Sequence, residues 1–313
     1  MAAAIAGMKS AYAQFSAGRA DIPLRTRVAI PARDGTAILM PAYLADSDDL
    51  AIKVVSVFPQ NLAQGLPLIA GLVLVLDATT GQPVAILEGS SLTAIRTGAG
   101  AGAATDLLAR KDAATVAIIG SGVQARTQLE AVCTVRQISE VYVYSIDVKH
   151  ATAFAKEMAG CGPIPTRIEV VAEPEAAVRQ ADIICTATNS PRPVFDSRAL
   201  QAGAHVNAVG SYRPDMQEVD VNTLRRSLVT VDSRTAVLAE AGDFIVPLAA
   251  GEIEETIIVA EIGEIINGEK SGRHRPDQIT FFKSVGIAAQ DAVAARLALK
   301  GAIAQGLGQL VTL

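Results

Sequence analysis

The segment Thr115-Val-Ala-Ile-Ile-Gly-Ser-Gly-Val-Gln-Ala125 constrains the fold more than any other part of the chain. A β-branched apolar run stops at Gly120-Ser121-Gly122, and helix-like sequence follows at once. That order predicts a strand, a tight turn and a helix, the opening of a dinucleotide-binding βαβ unit. Gly120 allows the sharp turn, Gly122 lets backbone approach a pyrophosphate, and Ala125 keeps helix and strand close. Free N–H groups and the helix dipole would hold the phosphates, with Val123 and Gln124 in that first turn. Glycine turns are common, so the flanking strand and helix are what make the motif point to a cofactor.

The alternation continues downstream. Strands are predicted at Thr115–Ile119, Glu140–Ser145, Arg167–Val171, Ala181–Ala187, Ala204–Val209 and Leu228–Val231, with helices between them. Six such strands make a doubly wound parallel sheet of the Rossmann kind. The upstream block is strand-rich instead. A helix over Met1–Gly18 shows Ile5, Met8, Tyr12 and Phe15 at helical spacing. Strands follow at Arg25–Ile30, Thr36–Met40 and Leu50–Phe58, then a hairpin of Leu68–Leu76 and Pro83–Leu87 around Thr79–Gln82. Thr93–Leu108 reads as an Ala/Gly-rich helix. Val285–Gly306 is a long Ala-rich helix beyond the alternating block, free to return to the first domain.

A chain of 313 residues, half of them apolar and 19% charged, suits two globular domains. A net charge of −5 without a Lys/Arg block argues against nucleic acid or an anionic membrane as partner. The longest apolar run, around Leu66–Leu76, is too short to span a bilayer. Cys133, Cys161 and Cys185 are odd in number and scattered, and no secretory leader is seen, so a reducing cytoplasm is expected. His150, His205 and His274 lie far apart without ligand spacing, so no metal site is expected, and His205 reads as a packed strand residue.

The second sheet strand should end near the cofactor ribose, where NAD sites usually place a carboxylate. Ser145 stands there, with Asp147 two positions on and Lys149 following, so NADP is favoured over NAD. Asp147 otherwise reads as a solvated turn residue. Lys53 sits inside the apolar strand Leu50–Val57, where an ammonium needs a partner, a job or an edge position reaching solvent. A partly desolvated Lys has a lowered pKa, which suits proton donation. Arg25 and Arg96 carry planar forks suited to a carboxylate, and with Lys53 they would make a cationic pocket; either alone is an ordinary surface Arg. Thr186, Thr188 and the turn Asn207-Ala208-Val209-Gly210 end strands at the side where such sheets bind ligands. Asp243, Glu261, Glu264 and Asp291 read as solvated or capping carboxylates.

With these residues in view, the chain resembles the ornithine cyclodeaminase/mu-crystallin family. The resemblance rests on Ile22–Arg25, Met40–Tyr43, Ile52-Lys53, Gly65–Pro67, Leu92–Gly98, Gly120–Ala125, His205–Gly210 and Lys283–Gly286, in that order. It implies a Rossmann domain (109–284) inserted in a discontinuous α+β domain (1–108 and 285–313) that binds substrate and forms a homodimer. It also implies substrate and catalytic roles for Arg25, Lys53 and Arg96. Cofactor contacts are implied for Arg96, Thr97, Gly122, Val123, Gln124 and Ser284. Cyclodeaminases carry an Asp shortly after the Val-Gly turn, where this chain has Tyr212, with Asp215 further along. The Ser211-x-Arg-Pro-Asp215 form is similar to ketimine and pyrroline-2-carboxylate reductases, which implies reduction of a cyclic imino acid. Cyclodeamination of ornithine, an alanine-dehydrogenase-like reaction and a non-catalytic NADPH and ligand binder are the alternatives. Family members usually carry a further strand before the first helix, so a shortened N-terminus is expected here.

Overall fold

The computed structural model describes residues 1–311. After helix α1 (Ala2–Ser16), strands β1 (Ala20–Asp21), β2 (Thr26–Ile30), β3 (Gly35–Leu44), β4 (Asp49–Val57), β5 (Ile69–Asp77) and β6 (Pro83–Glu88) form an antiparallel sheet. The order is β1-β3-β4-β5-β6, with β2 also on β3. Alternation along the strands gives it two faces. Met40, Ala42 and Leu44 of β3 and Ala51 and Lys53 of β4 are buried, in a register pairing Met40 with Lys53. On the other face Leu39, Val54 and Leu72 form one cross-strand row, and Leu39 and Leu72 are exposed.

Helix α2 (Gly89–Leu108) leads to the second sheet. Its members are β7 (Thr115–Ile119), α3 (Val123–Val135), β8 (Glu140–Tyr144), α4 (Val148–Met158), β9 (Glu169–Val170), α5 (Pro174–Val178), β10 (Ile183–Thr186) and β11 (His205–Ala208). Then come α6 (Val221–Arg225), β12 (Ser227–Val231), α7 (Arg234–Glu240), α8 (Gly242–Ala249), β13 (Ile258–Glu261), α9 (Ile262–Ile266), β14 (Ile279–Lys283) and α10 (Ala288–Gln305). Every pairing is parallel, in the order β13-β12-β14-β11-β10-β7-β8-β9. Among the described residues the sheet has eight strands rather than the expected six. The two additions are β13, only four residues long, and β14, buried along its whole length so that no alternation marks it. His205 is a packed strand residue, bonded to Thr280 and Asn207.

Helix α10 returns to the first sheet and packs on β3, β4 and α1. Helix α2 bridges the halves, and its crossing with α3 is close because Gly98 carries no side chain: a Cβ there would lie 2.5 Å from the Thr127 carbonyl. Among the described residues, no helix is long and apolar enough to cross a membrane.

Candidate active site

Strand order reverses between β7 and β10, the switch point where open parallel sheets bind ligands. A cleft of ≈ 1490 Å³ opens there and runs to the inner face of β3, β4 and β5. Gly120, Gly122, Val123 and Gln124 line one end. Gly120 has φ +106°, and a Cβ there would meet the Ala187 carbonyl oxygen at 2.5 Å. Gly122 caps α3 with no side-chain hydrogen bond to the helix start, and the space beyond its Cα is open. The buried Gln124 Oε1 has no hydrogen-bond partner among the described residues. A loop with free helical N–H groups, room for backbone approach and an orphan acceptor fits the diphosphate and ribose of a dinucleotide.

Ser145 also lines the cleft and shares a 3.0 Å hydrogen bond with Ser121. Thr188, Val209 and Ser284 line its middle. Two expected contacts are placed elsewhere. Asp147 caps α4, accepting from the Lys149 N–H at 2.8 Å, and is off the cleft wall. Thr186 is fully buried and donates to Glu218 at 2.9 Å. The partner is what no local pattern revealed: Glu218 accepts from both the Thr188 N–H and hydroxyl and from the Gly210 and Ser211 N–H groups. One buried carboxylate therefore ties the β10 and β11 turns together, and burial raises its pKa. Asp243, expected to be solvated or capping, is buried: it accepts from the Glu218 N–H and pairs with Lys283 at 2.7 Å.

The other end of the cleft is cationic. Lys53 lies on a central strand rather than an edge, 3% exposed, and pairs with Asp291 at 3.1 Å. Arg96 Nε meets the same Asp291 oxygen at 3.1 Å, and its Nη1 donates to Gln290. Arg25 is held by Glu240 at 3.0 Å and by the Gly286 carbonyl. The three cations line one cleft, with Thr97 beside Arg96. Burial lowers the Lys53 pKa to about 8, with Arg96 and Arg25 pushing the same way and Asp291 opposing. Lys53 is therefore charged at neutral pH yet able to lose its proton.

Asp291 corrects the expectation of a solvated or capping carboxylate: it is 1% exposed and bonded to two cations. The readable signal was a single acid inside the otherwise uncharged run Ala288–Ala295. Asp232 was also missed; it accepts from the Ser284 hydroxyl and from the Val285 and Gly286 N–H groups, pinning the crossing from β14 to α10. Tyr212 lines the cleft, whereas Asp215 pairs with Arg213 and is off its wall.

The profile of the ornithine cyclodeaminase/mu-crystallin family matches residues 1–304. A Δ1-pyrroline-2-carboxylate reductase of Bacillus cereus is 43% identical over 302 residues, 96% of this chain and 92% of that protein. The structure of Thermococcus litoralis Δ1-pyrroline-2-carboxylate reductase in complex with NADH and L-proline superposes with a TM-score of 0.93. It is 44% identical, over 98% of this chain and 95% of that one. An archaeal alanine dehydrogenase dimer with bound NAD gives 0.92 at 32% identity, covering 100% and 94% of the two chains. The chain therefore belongs to the ornithine cyclodeaminase/mu-crystallin family.

Proposed function

We propose that this protein is an NAD(P)H-dependent oxidoreductase that reduces a cyclic imino acid, Δ1-pyrroline-2-carboxylate or Δ1-piperideine-2-carboxylate, to L-proline or L-pipecolate. The observation that carries the reading is a buried, ion-paired Lys53 flanked by two arginines in the same cleft as the Gly120–Gln124 loop. The 43% identity to a pyrroline-2-carboxylate reductase supports it. Arg25 and Arg96 receive the substrate carboxylate, both held in place before it arrives. Lys53 donates its proton to the imine nitrogen, or keeps one there, and the resulting C=N⁺ carbon is a better electrophile than the neutral imine. Gly120, Gly122, Val123 and Gln124 hold the dinucleotide, with Thr97, Thr188, Val209 and Ser284 along its course. When bound, the reduced nicotinamide supplies the hydride to that carbon.

The test follows cofactor absorbance with each imine, beside ornithine plus NAD assayed for ammonia. Oxidation with the imine and no ammonia is expected, since Tyr212 replaces the carboxylate of the cyclodeaminases. Ammonia without net cofactor change would overturn the reading. Ser145 presents no carboxylate to the ribose, which supports NADPH being used at least as well as NADH. A strong preference for NADH in the same assay would reverse that.

The reading takes 1–108 with 285–313 as the domain for substrate and dimer contact, and 109–284 as the domain for cofactor. The uncovered apolar face of the first sheet supports a homodimer. Light scattering should then give twice the 32.4 kDa chain mass, and Leu72→Glu, on that face and away from Lys53, should give the monomer. A Leu72→Glu protein that stays dimeric would move the interface elsewhere. Three free cysteines support a reducing, cytoplasmic location.

A further inference from the structure

The carboxylate behind Lys53 deepens the proposed reaction, and its role rests on Lys53 being the acid there. Asp291, in the first turn of α10, does not itself line the cleft, whereas Lys53 and Arg96 do. Its Oδ1 accepts from Lys53 Nζ and from Arg96 Nε, each at 3.1 Å. Its Oδ2 is buried with no hydrogen-bond partner among the described residues. One oxygen thus anchors both cations, and the other contributes only charge.

We propose that Asp291 is a positioning residue that fixes the Lys53 ammonium against Arg96 and keeps it in the proton-bearing form until the imino acid is bound. The charged groups acting on Lys53 are Asp291 from α10, Arg96 from α2 and Arg25 from the segment before β2. Glu240 of α7 is occupied by Arg25 and Arg27, and Asp232 by Ser284 and backbone N–H groups. Asp291 is therefore the carboxylate bonded to Lys53, set against two arginines and the cost of burial. Lys53 and Arg96 in turn hold the Asp291 carboxyl ionised, its pKa lowered in spite of burial.

Asp291→Asn tests this. The unpartnered Oδ2 means that the new amide NH2 faces no opposing donor, so the change removes charge while keeping Oδ1 as acceptor. Loss of an opposite charge in contact lowers a lysine pKa, so the basic limb of the kcat/KM profile should move to lower pH by at least about one unit. At pH 8 a one-unit shift should cost at least about fivefold in kcat/KM, while the NADH dissociation constant stays put. A folded Asn variant whose limb has not moved overturns the proposal, because a purely structural role would scale activity equally at every pH. If the Asn variant does not fold, Asp291→Glu decides. It keeps the charge but displaces it, so the limb should stay and kcat should fall by about tenfold or more. Unchanged kcat in the Glu variant overturns the proposal. Lys53→Met separates the two levels. Full turnover there sinks Lys53 as the acid, and with it the proposed mechanism at that residue, whereas an inactive Met variant with an unmoved limb in Asp291→Asn sinks only the role of Asp291.

Discussion

Lys53→Met should lower kcat/KM for the cyclic imino acid by about a thousandfold, the scale of a lost general acid. The thioether fills a similar volume, and Asp291 keeps its bond to Arg96, so the fold should survive. The dinucleotide loop is at the other end of the cleft and makes no hydrogen bond with Lys53, so NADH binding, followed by fluorescence, should be nearly unchanged. The loss should therefore fall on kcat. A Lys53→Met enzyme that turns over within about threefold of the parent would show that another group protonates the imine nitrogen.

Gly120→Val should abolish cofactor binding. The backbone at φ +106° is a conformation that β-branched residues essentially avoid, and the new Cβ would lie 2.5 Å from the Ala187 carbonyl oxygen. Relief requires β7 and the turn after β10 to part, which moves the α3 N-terminus and Thr188 together. Strain of about 1–3 kcal/mol, added to the lost approach of backbone to phosphate, predicts at least a hundredfold rise in the NADH dissociation constant, about 2.7 kcal/mol. Calorimetry or fluorescence titration of a variant with unaltered circular dichroism checks it. Retained affinity would place the dinucleotide away from this loop.

Much of this was legible because it is local. The strand-turn-helix at Gly120 carries its own signature, and Thr36–Met40 reads as a strand, whereas the inner face through Met40, Ala42 and Leu44 lies in an all-apolar run and shows only in the burial pattern. Lys53 was visible as a charge in an apolar strand. Its partner was not, because Asp291 lies 238 residues away and a carboxylate on a helix's first turn reads locally as a cap. Strand β14 escaped for a related reason. Burial on both sides erases periodicity, and Lys283 at its end is tolerated only because Asp243, forty residues earlier, neutralises it. Thr186 and Thr188 look equivalent at a strand end. Both bond Glu218, and only the one beyond the last paired residue reaches the cleft.

The return of α10 to the first sheet sets an order of events at the ribosome. Residues 115–283 supply all eight strands of the parallel sheet in one continuous stretch, so that half can assemble as it emerges. The first sheet is synthesised earlier but finishes later. Its inner face, with Lys53 and Arg96 on or beside it, stays partly bare until Ala288–Gln305 arrives with the counter-charge. A nascent chain stalled before Ala288 should therefore show a protease-resistant cofactor half beside a protease-sensitive N-terminal half. Equal resistance of both halves would mean that the early strands settle without their last helix.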